Sequence, residues 1–234
     1  MRSSLVGGCV TFSGMKMKSA PKIYLVHAAV VSIPPVVASF RAAWPEARLA
    51  NLLEDSFMPD LAADGKLTDA MIERFVHIGQ YCVKGGADGI LFACSAFGPA
   101  IDECRRQLRI PVLKPNEALY EELTSKDCSV SLLATFPPSI PSMVSEIKEL
   151  ARARGTKLKL DTHLVEGALA ALQADNPDKH NRLIVESAAN LQCDVIAFAQ
   201  FSMAPALQAA AARTKTPILS TPDSAVAKLK SMLA

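Results

Sequence analysis

From Lys22 onward, short runs of β-branched and aliphatic residues alternate with longer stretches of helical periodicity. The runs predict strands at Ile23–His27, Arg48–Leu53, Gly89–Ala93 and Val112–Leu113, then at Ser129–Ala134, Lys157–Asp161, Val195–Ala199 and Ile218–Leu219. Most are four to six residues long. They read as apolar throughout, the pattern of strands covered on both faces. Between them the spacing predicts helices at Pro34–Ala43, Thr68–Lys84, Phe97–Leu108, Pro138–Arg154, His180–Leu191, Met203–Arg213 and Pro222–Leu233. Strands alternating with helices imply right-handed crossovers and parallel sheets.

The pattern repeats itself. Leu91-Phe92-Ala93-Cys94-Ser95-Ala96-Phe97-Gly98-Pro99-Ala100 aligns without gaps on Ala197-Phe198-Ala199-Gln200-Phe201-Ser202-Met203-Ala204-Pro205-Ala206, so Cys94 falls on Gln200. The same offset lays Ile110-Pro111-Val112-Leu113 on Thr216-Pro217-Ile218-Leu219, and Ala87-Asp88-Gly89-Ile90 on Cys193-Asp194-Val195-Ile196. The copies begin near Lys22 and Cys128. The expected fold is therefore α/β, with two pseudo-symmetric lobes, each a short parallel sheet flanked by helices, and a ligand cleft between them. Residues 21–114 with roughly 220–234 form the first lobe and 115–219 the second. No low-complexity linker separates them, which predicts packed rather than tethered lobes.

In an open parallel sheet, ligands sit beyond the carboxyl ends of the strands. That rule selects His27-Ala28, Glu54-Asp55-Ser56, Cys94-Ser95-Ala96 and Lys114-Pro115-Asn116-Glu117 in the first copy. In the second it selects Ala134-Thr135-Phe136, Asp161-Thr162-His163, Gln200-Phe201-Ser202 and Ser220-Thr221-Pro222-Asp223. Facing lobes would bring both sets to one cavity.

Composition narrows the function. Half of the 234 residues are hydrophobic, enough for a substantial core. The net charge is +2 with both signs interspersed, and only 6% of residues are aromatic. Neither a nucleic-acid surface nor a base-stacking platform is indicated. No apolar run reaches the roughly 18 residues of a membrane span. Six scattered cysteines without a C-x-x-C pair suit reduced thiols in the cytoplasm. Residues 1–20 carry Gly7-Gly8 and several serines, and read as a disordered tail rather than a signal peptide. Motifs for dinucleotides, nucleotide phosphates, zinc proteases and serine hydrolases are missing, and no His/Cys/Asp cluster has metal-ligand spacing. The expected chemistry uses no cofactor and no metal.

Cys94 ends an apolar strand just before a predicted helix, where unsatisfied N–H groups and the positive end of the dipole favour thiolate. A buried, inert thiol is the alternative. Cys82, Cys104, Cys128 and Cys193 lie away from the strand ends of the predicted site and read as structural. No arginine stands at a strand end, so a substrate carboxylate would be held by Ser95, Ala96, Thr135 and Ser202, through hydroxyls and helix-start N–H groups; ordinary capping is the competing reading. Asp55, Asn116, Gln200 and Phe201 complete the predicted binding set. His27, like His163 beside Asp161, could act as an acid or base or simply close a strand.

The segments Gly89–Gly98, Ile110-Pro111-Val112, Asp194–Gln200 and Thr216–Leu219 resemble the aspartate/glutamate/hydantoin racemase superfamily, and the likeness covers about residues 21–230. The resemblance implies a cofactor-independent enzyme acting on a small carboxylic or amino-acid-like substrate, with Cys94 as acid, base or nucleophile and a homo-oligomer left open. Racemases of this family carry a cysteine at each of two equivalent positions, one to remove the α-proton and one to return a proton on the other face. Here the second position holds Gln200, so the two-thiol reaction is in question. Arylmalonate decarboxylases of the superfamily work with one cysteine, placed in the other lobe. Maleate isomerases share the fold but carry two. A catalytically silent small-acid binding protein would also keep the cleft and tolerate the lost thiol.

Overall fold

The computed structural model describes residues 20–234. The expectation of a disordered tail at residues 1–20 falls almost wholly outside that range. The first half of the chain runs β1 (Lys22–His27), α1 (Ile33–Ala43), β2 (Arg48–Leu53), α2 (Phe57–Asp64), α3 (Asp69–Lys84), β3 (Gly89–Phe92), α4 (Gly98–Gln107) and β4 (Val112–Leu113). The second runs α5 (Glu117–Leu123), β5 (Cys128–Ala134), α6 (Ile140–Arg154), β6 (Leu158–Leu164), α7 (Ala168–Gln173), α8 (Pro177–Ala189), β7 (Val195–Phe198), α9 (Leu207–Ala211), β8 (Ile218–Ser220) and α10 (Thr221–Leu233).

The strands form two four-stranded sheets of the same topology, β2-β1-β3-β4 and β6-β5-β7-β8. Every pairing is parallel. The duplication seen in the sequence is thus a duplication of sheet order. It also explains one aligned pair of aspartates. Asp88 accepts the Lys22 backbone N–H at 2.7 Å, and Asp194 accepts that of Ser129 at 2.7 Å, so each pins the start of its lobe's inner strand to the next. Both lie at the strand ends remote from the cleft.

Helices cover both faces of each sheet. On one face of the first, Phe57, Phe75, Phe92 and Phe97 pack ring against ring, with centroids 4.3 Å apart for Phe57–Phe75 and 4.9 Å for Phe75–Phe97. On the other, Val36, Phe40 and Trp44 of α1 meet Ala225, Val226 and Leu229 of α10. The second sheet is covered by Leu119, Leu123 and Ile147 on one side and by Ile184, Met203 and Ala210 on the other. Phe201 crosses between the two systems. It belongs to the turn after β7, yet its ring is buried in the α1–α10 core of the first sheet. The C-terminal helix adds a polar tie, Lys228 Nζ to Glu121 Oε2 on α5 at 2.5 Å.

Several expectations need correction. β2 and β6 are edge strands with alternating exposure, not apolar strands covered on both faces. β6 runs on to Leu164 because it pairs with β5 residue by residue up to Ala134. Asp161, Thr162 and His163 therefore lie within an edge strand, not beyond its end. The helix expected over Met203–Arg213 is a 3-10 stretch, Phe201–Ala206, followed by the short α9. Pro205 has no N–H to continue an α-helical ladder there. The helix expected from Phe97 starts at Gly98, after a separate 3-10 turn of Ser95–Phe97. Helix α8 starts at Pro177 instead of His180, where the Asn176 side chain accepts the Lys179 N–H at 3.0 Å. Helices α2 and α7 were not expected.

Candidate functional site

The carboxyl ends of both sheets open onto one cavity of about 400 Å³. Ala93–Ala96 and Pro115-Asn116 form its wall on the first sheet, and Thr135-Phe136 and Ala199–Ser202 face them from the second. Val31, Met58, Leu169 and Leu172 add apolar surface from the surrounding turns and helices. Among the described residues, no Asp, Glu, Lys, Arg or His lines it, and Cys94 is its one titratable side chain. Among the described residues, no group of three His, Cys, Asp or Glu is placed to hold a metal ion.

Cys94 follows β3 in extended backbone and precedes the 3-10 turn. Its sulfur lies 3.8 Å from Met58 Sδ. The structure reverses the expectation of a helix-activated thiolate. Burial pushes the Cys94 thiol above its ordinary value, and the Ala96 N–H opposes this only in part. The physical reason is local: a three-residue 3-10 turn, not the first turn of α4, meets the sulfur. Burial thus favours the thiol over the thiolate.

Gln200 stands opposite as a strut. Its Oε1 accepts the Thr135 N–H at 2.9 Å, and the Thr135 hydroxyl lies at 3.4 Å. Its Nε2 donates to Ser139 Oγ at 3.2 Å, and that hydroxyl donates to the Phe136 carbonyl at 2.8 Å. The amide thus fastens the turn after β5. Asn116 is buried in the wall and donates through Nδ2 to the Tyr120 hydroxyl at 3.1 Å. Burial holds that phenol neutral, well above its ordinary value. Ser95 and Ser202 line the cavity, and no hydrogen bond ties their hydroxyls among the described residues.

Of the predicted binding set, Asp55 and His27 are not in the wall, and among the other strand-end candidates neither are Glu54, Lys114, Glu117, Asp161, His163 and Asp223. Asp55 is exposed in the turn before α2. Its neighbours are tied locally: Ser56 Oγ donates to Glu54 at 2.6 Å, and Arg74 of α3 pairs with Asp60 at 2.5 Å. His27 is fully buried behind the wall, with Nδ1 2.7 Å from Ser32 Oγ and Nε2 3.0 Å from Asn51 Oδ1. Burial lowers its pKa, against the Asn51 contact, which raises it. Ser32 itself does line the cavity and was missed, as were Met58, Ser139 and Leu172, whereas Phe136 was selected as a strand-end residue and does line it. A serine five residues past a strand-end histidine was the available signal for Ser32. The others come from helices and turns that the strand-end rule does not cover.

Residues 33–192 match the family model described as Asp/Glu/hydantoin racemase. No curated protein sequence matches the chain. Its fold is similar to that of the allantoin racemase from Klebsiella pneumoniae, at 16% identity over 91% of this chain and 87% of that one, with a TM-score of 0.66. It is similar to the Picrophilus torridus aspartate racemase at 12% identity, 91% and 94% coverage and a TM-score of 0.68. Unliganded arylmalonate decarboxylase gives 15% identity, 92% and 93% coverage and a TM-score of 0.60. With a family match over most of its length, and a two-sheet architecture shared with these structures, the chain belongs to the Asp/Glu/hydantoin racemase family.

Proposed function

We propose that the protein is a cofactor-independent enzyme that transfers a proton at the carbon next to the carboxylate or carbonyl of a small acid, with Cys94 as the proton donor. The observation that carries this reading is the cavity itself, in which Cys94 is, among the described residues, the one titratable group between two sets of strand ends. A carboxylate would be held by the Ser95 and Ser202 hydroxyls and the main-chain N–H groups of the adjoining turns. The uncharged, largely apolar lining favours a substrate with one anionic or imide-like end and an apolar substituent over one with a charged side chain, which would be buried unpaired. Free Cys82, Cys94, Cys104, Cys128 and Cys193 support a reducing compartment, the cytoplasm.

One-thiol decarboxylation is the second reading, favoured by Gln200 at the position equivalent to Cys94. Both are tested by one panel in deuterium oxide: single enantiomers of 2-phenylpropanoate and 5-benzylhydantoin, and phenylmalonate, followed by mass and chirality. Proton transfer predicts α-deuteration of the first two, and decarboxylation predicts carbon dioxide from the third. Cys94→Ala should lower inversion of the acids, or release of carbon dioxide, by about a hundredfold or more. Wild-type rates in Cys94→Ala, with the fold intact by circular dichroism, would end the thiol mechanism.

A further inference from the structure

Inversion at carbon needs a second proton-transfer group, and Gln200 cannot supply it, because a carboxamide stays neutral and keeps its protons. The other polar side chains of the wall are hydroxyls and one amide. Among the wall hydroxyls, that of Ser32 alone contacts an imidazole, at 2.7 Å from His27 Nδ1. We propose that Ser32, backed by His27 and Asn51, is the second proton-transfer group of the site. This rests on the proton-transfer reading given above.

Secondary structure places the three groups. His27 closes β1, and Asn51 lies on the adjoining edge strand β2, paired with Leu25. Positions 25 and 27 point to the same face of the sheet, which makes Asn51 the diagonal neighbour of His27. Ser32 ends the 3-10 turn Val30–Ser32 that leads into α1, and this turn packs against the Phe201–Ala206 stretch of the other lobe. Ser32 is thereby held at the cavity wall with its hydroxyl on the histidine. The same hydroxyl lies 2.8 Å from the Ala29 carbonyl, an alternative acceptor for its proton.

The proton positions follow from burial. A fully buried imidazole is favoured neutral and carries one proton. With that proton on Nε2, it donates to Asn51 Oδ1, and the free Nδ1 accepts from the Ser32 hydroxyl. The step then balances. As the Cα–H bond breaks, Ser32 Oγ takes the proton while its own moves to His27 Nδ1. The Cys94 S–H bond breaks to make the new Cα–H bond. The site is left as imidazolium and thiolate, the state that runs the reaction in reverse on the opposite enantiomer; otherwise proton exchange with water resets it. Ser32 is the catalytic member of the pair, and His27 and Asn51 are positioning residues that act through it.

Two measurements on the full chain test this. Long-range proton–nitrogen correlation should show His27 neutral at pH 7 with Nε2 protonated, and its Nδ1 resonance should move in Ser32→Ala. An Nδ1-protonated or cationic ring would overturn the proposal. The second is exchange of each enantiomer of 2-phenylpropanoate in deuterium oxide. Ser32→Ala should lose inversion by about a hundredfold while one enantiomer still exchanges with retention, and Cys94→Ala should leave the opposite enantiomer exchanging. Ser32→Cys, which restores a proton-transfer group, should recover inversion. Asn51→Ala should lower kcat with KM unchanged. Inversion at the wild-type rate in folded Ser32→Ala would overturn the proposal. If no acid of the panel exchanges in the wild type, the functional reading fails, and the His27 tautomer still decides the assignment of the pair.

Discussion

At the scale of single residues, burial acts on two titratable groups at or behind the cavity wall, Cys94 and His27. Cys94 was legible as the site thiol because a lone cysteine at a strand end is conspicuous. Its protonation state was not, since that depends on how far burial outweighs one N–H contact. The sign has a direct consequence. A raised pKa lowers the thiolate fraction at any given pH, so iodoacetamide should modify Cys94 more slowly than a small free thiol at pH 7.5. The rate should climb with pH through a midpoint above the ordinary thiol value. Faster modification at pH 7.5 would show a stabilised thiolate and reverse the donor role. His27 was legible as a strand-end titratable group, but its partners were not, because the contact to Asn51 requires the β1–β2 register and that to Ser32 requires the turn into α1.

Most of the strands were legible as short apolar runs with turn residues at their ends; the edge strands β2 and β6 carry polar residues among the apolar ones. The six-residue α7 and eight-residue α2 were not legible, since one or two turns hold too few positions to show a helical period. Their surroundings define them instead. Packing between elements also makes one helical glycine sensitive to substitution. Gly79 sits mid-helix in α3, where a built Cβ would fall 2.3 Å from Cys104 Sγ and 2.8 Å from Leu108 Cδ1 on the α4 side. On helix propensity alone, Gly79→Ala would gain about 1 kcal/mol. Close packing of α3 on α4 should outweigh that, giving a net loss of about 1–3 kcal/mol. Urea denaturation checks the sign; a stabilised Gly79→Ala would mean the two helices separate more easily than their contacts indicate.

For the whole molecule, the duplication made the two-sheet architecture readable, but not how the halves are joined. Phe201 is the main apolar join, a residue aligned with Ser95 whose ring serves the opposite core. No pattern along one segment predicts a side chain that crosses between two sheets. Phe201→Ala should cost about 3–5 kcal/mol, within the range for buried aromatic truncations. Because the ring belongs to the first core and its backbone to the second, thermal melts of the wild type followed by near-ultraviolet and far-ultraviolet signals should coincide. In Phe201→Ala they should separate. Coincident transitions with unchanged stability would show that the halves are held by α10 instead.

The Gln200 strut has a further meaning for any guest of the cavity. By engaging the Thr135 N–H, its carboxamide oxygen behaves as a tethered competitor already seated in the second lobe. An intramolecular rival of this kind acts at an effective concentration on the order of millimolar or more. A weakly bound acid cannot displace it, which leaves the Ser95 and Ser202 hydroxyls, one in each lobe, as the side-chain hydroxyls untied among the described residues. The asymmetry between two halves of similar fold is then one of occupancy: the second lobe enters the cavity with a backbone donor already engaged, where the first carries Cys94.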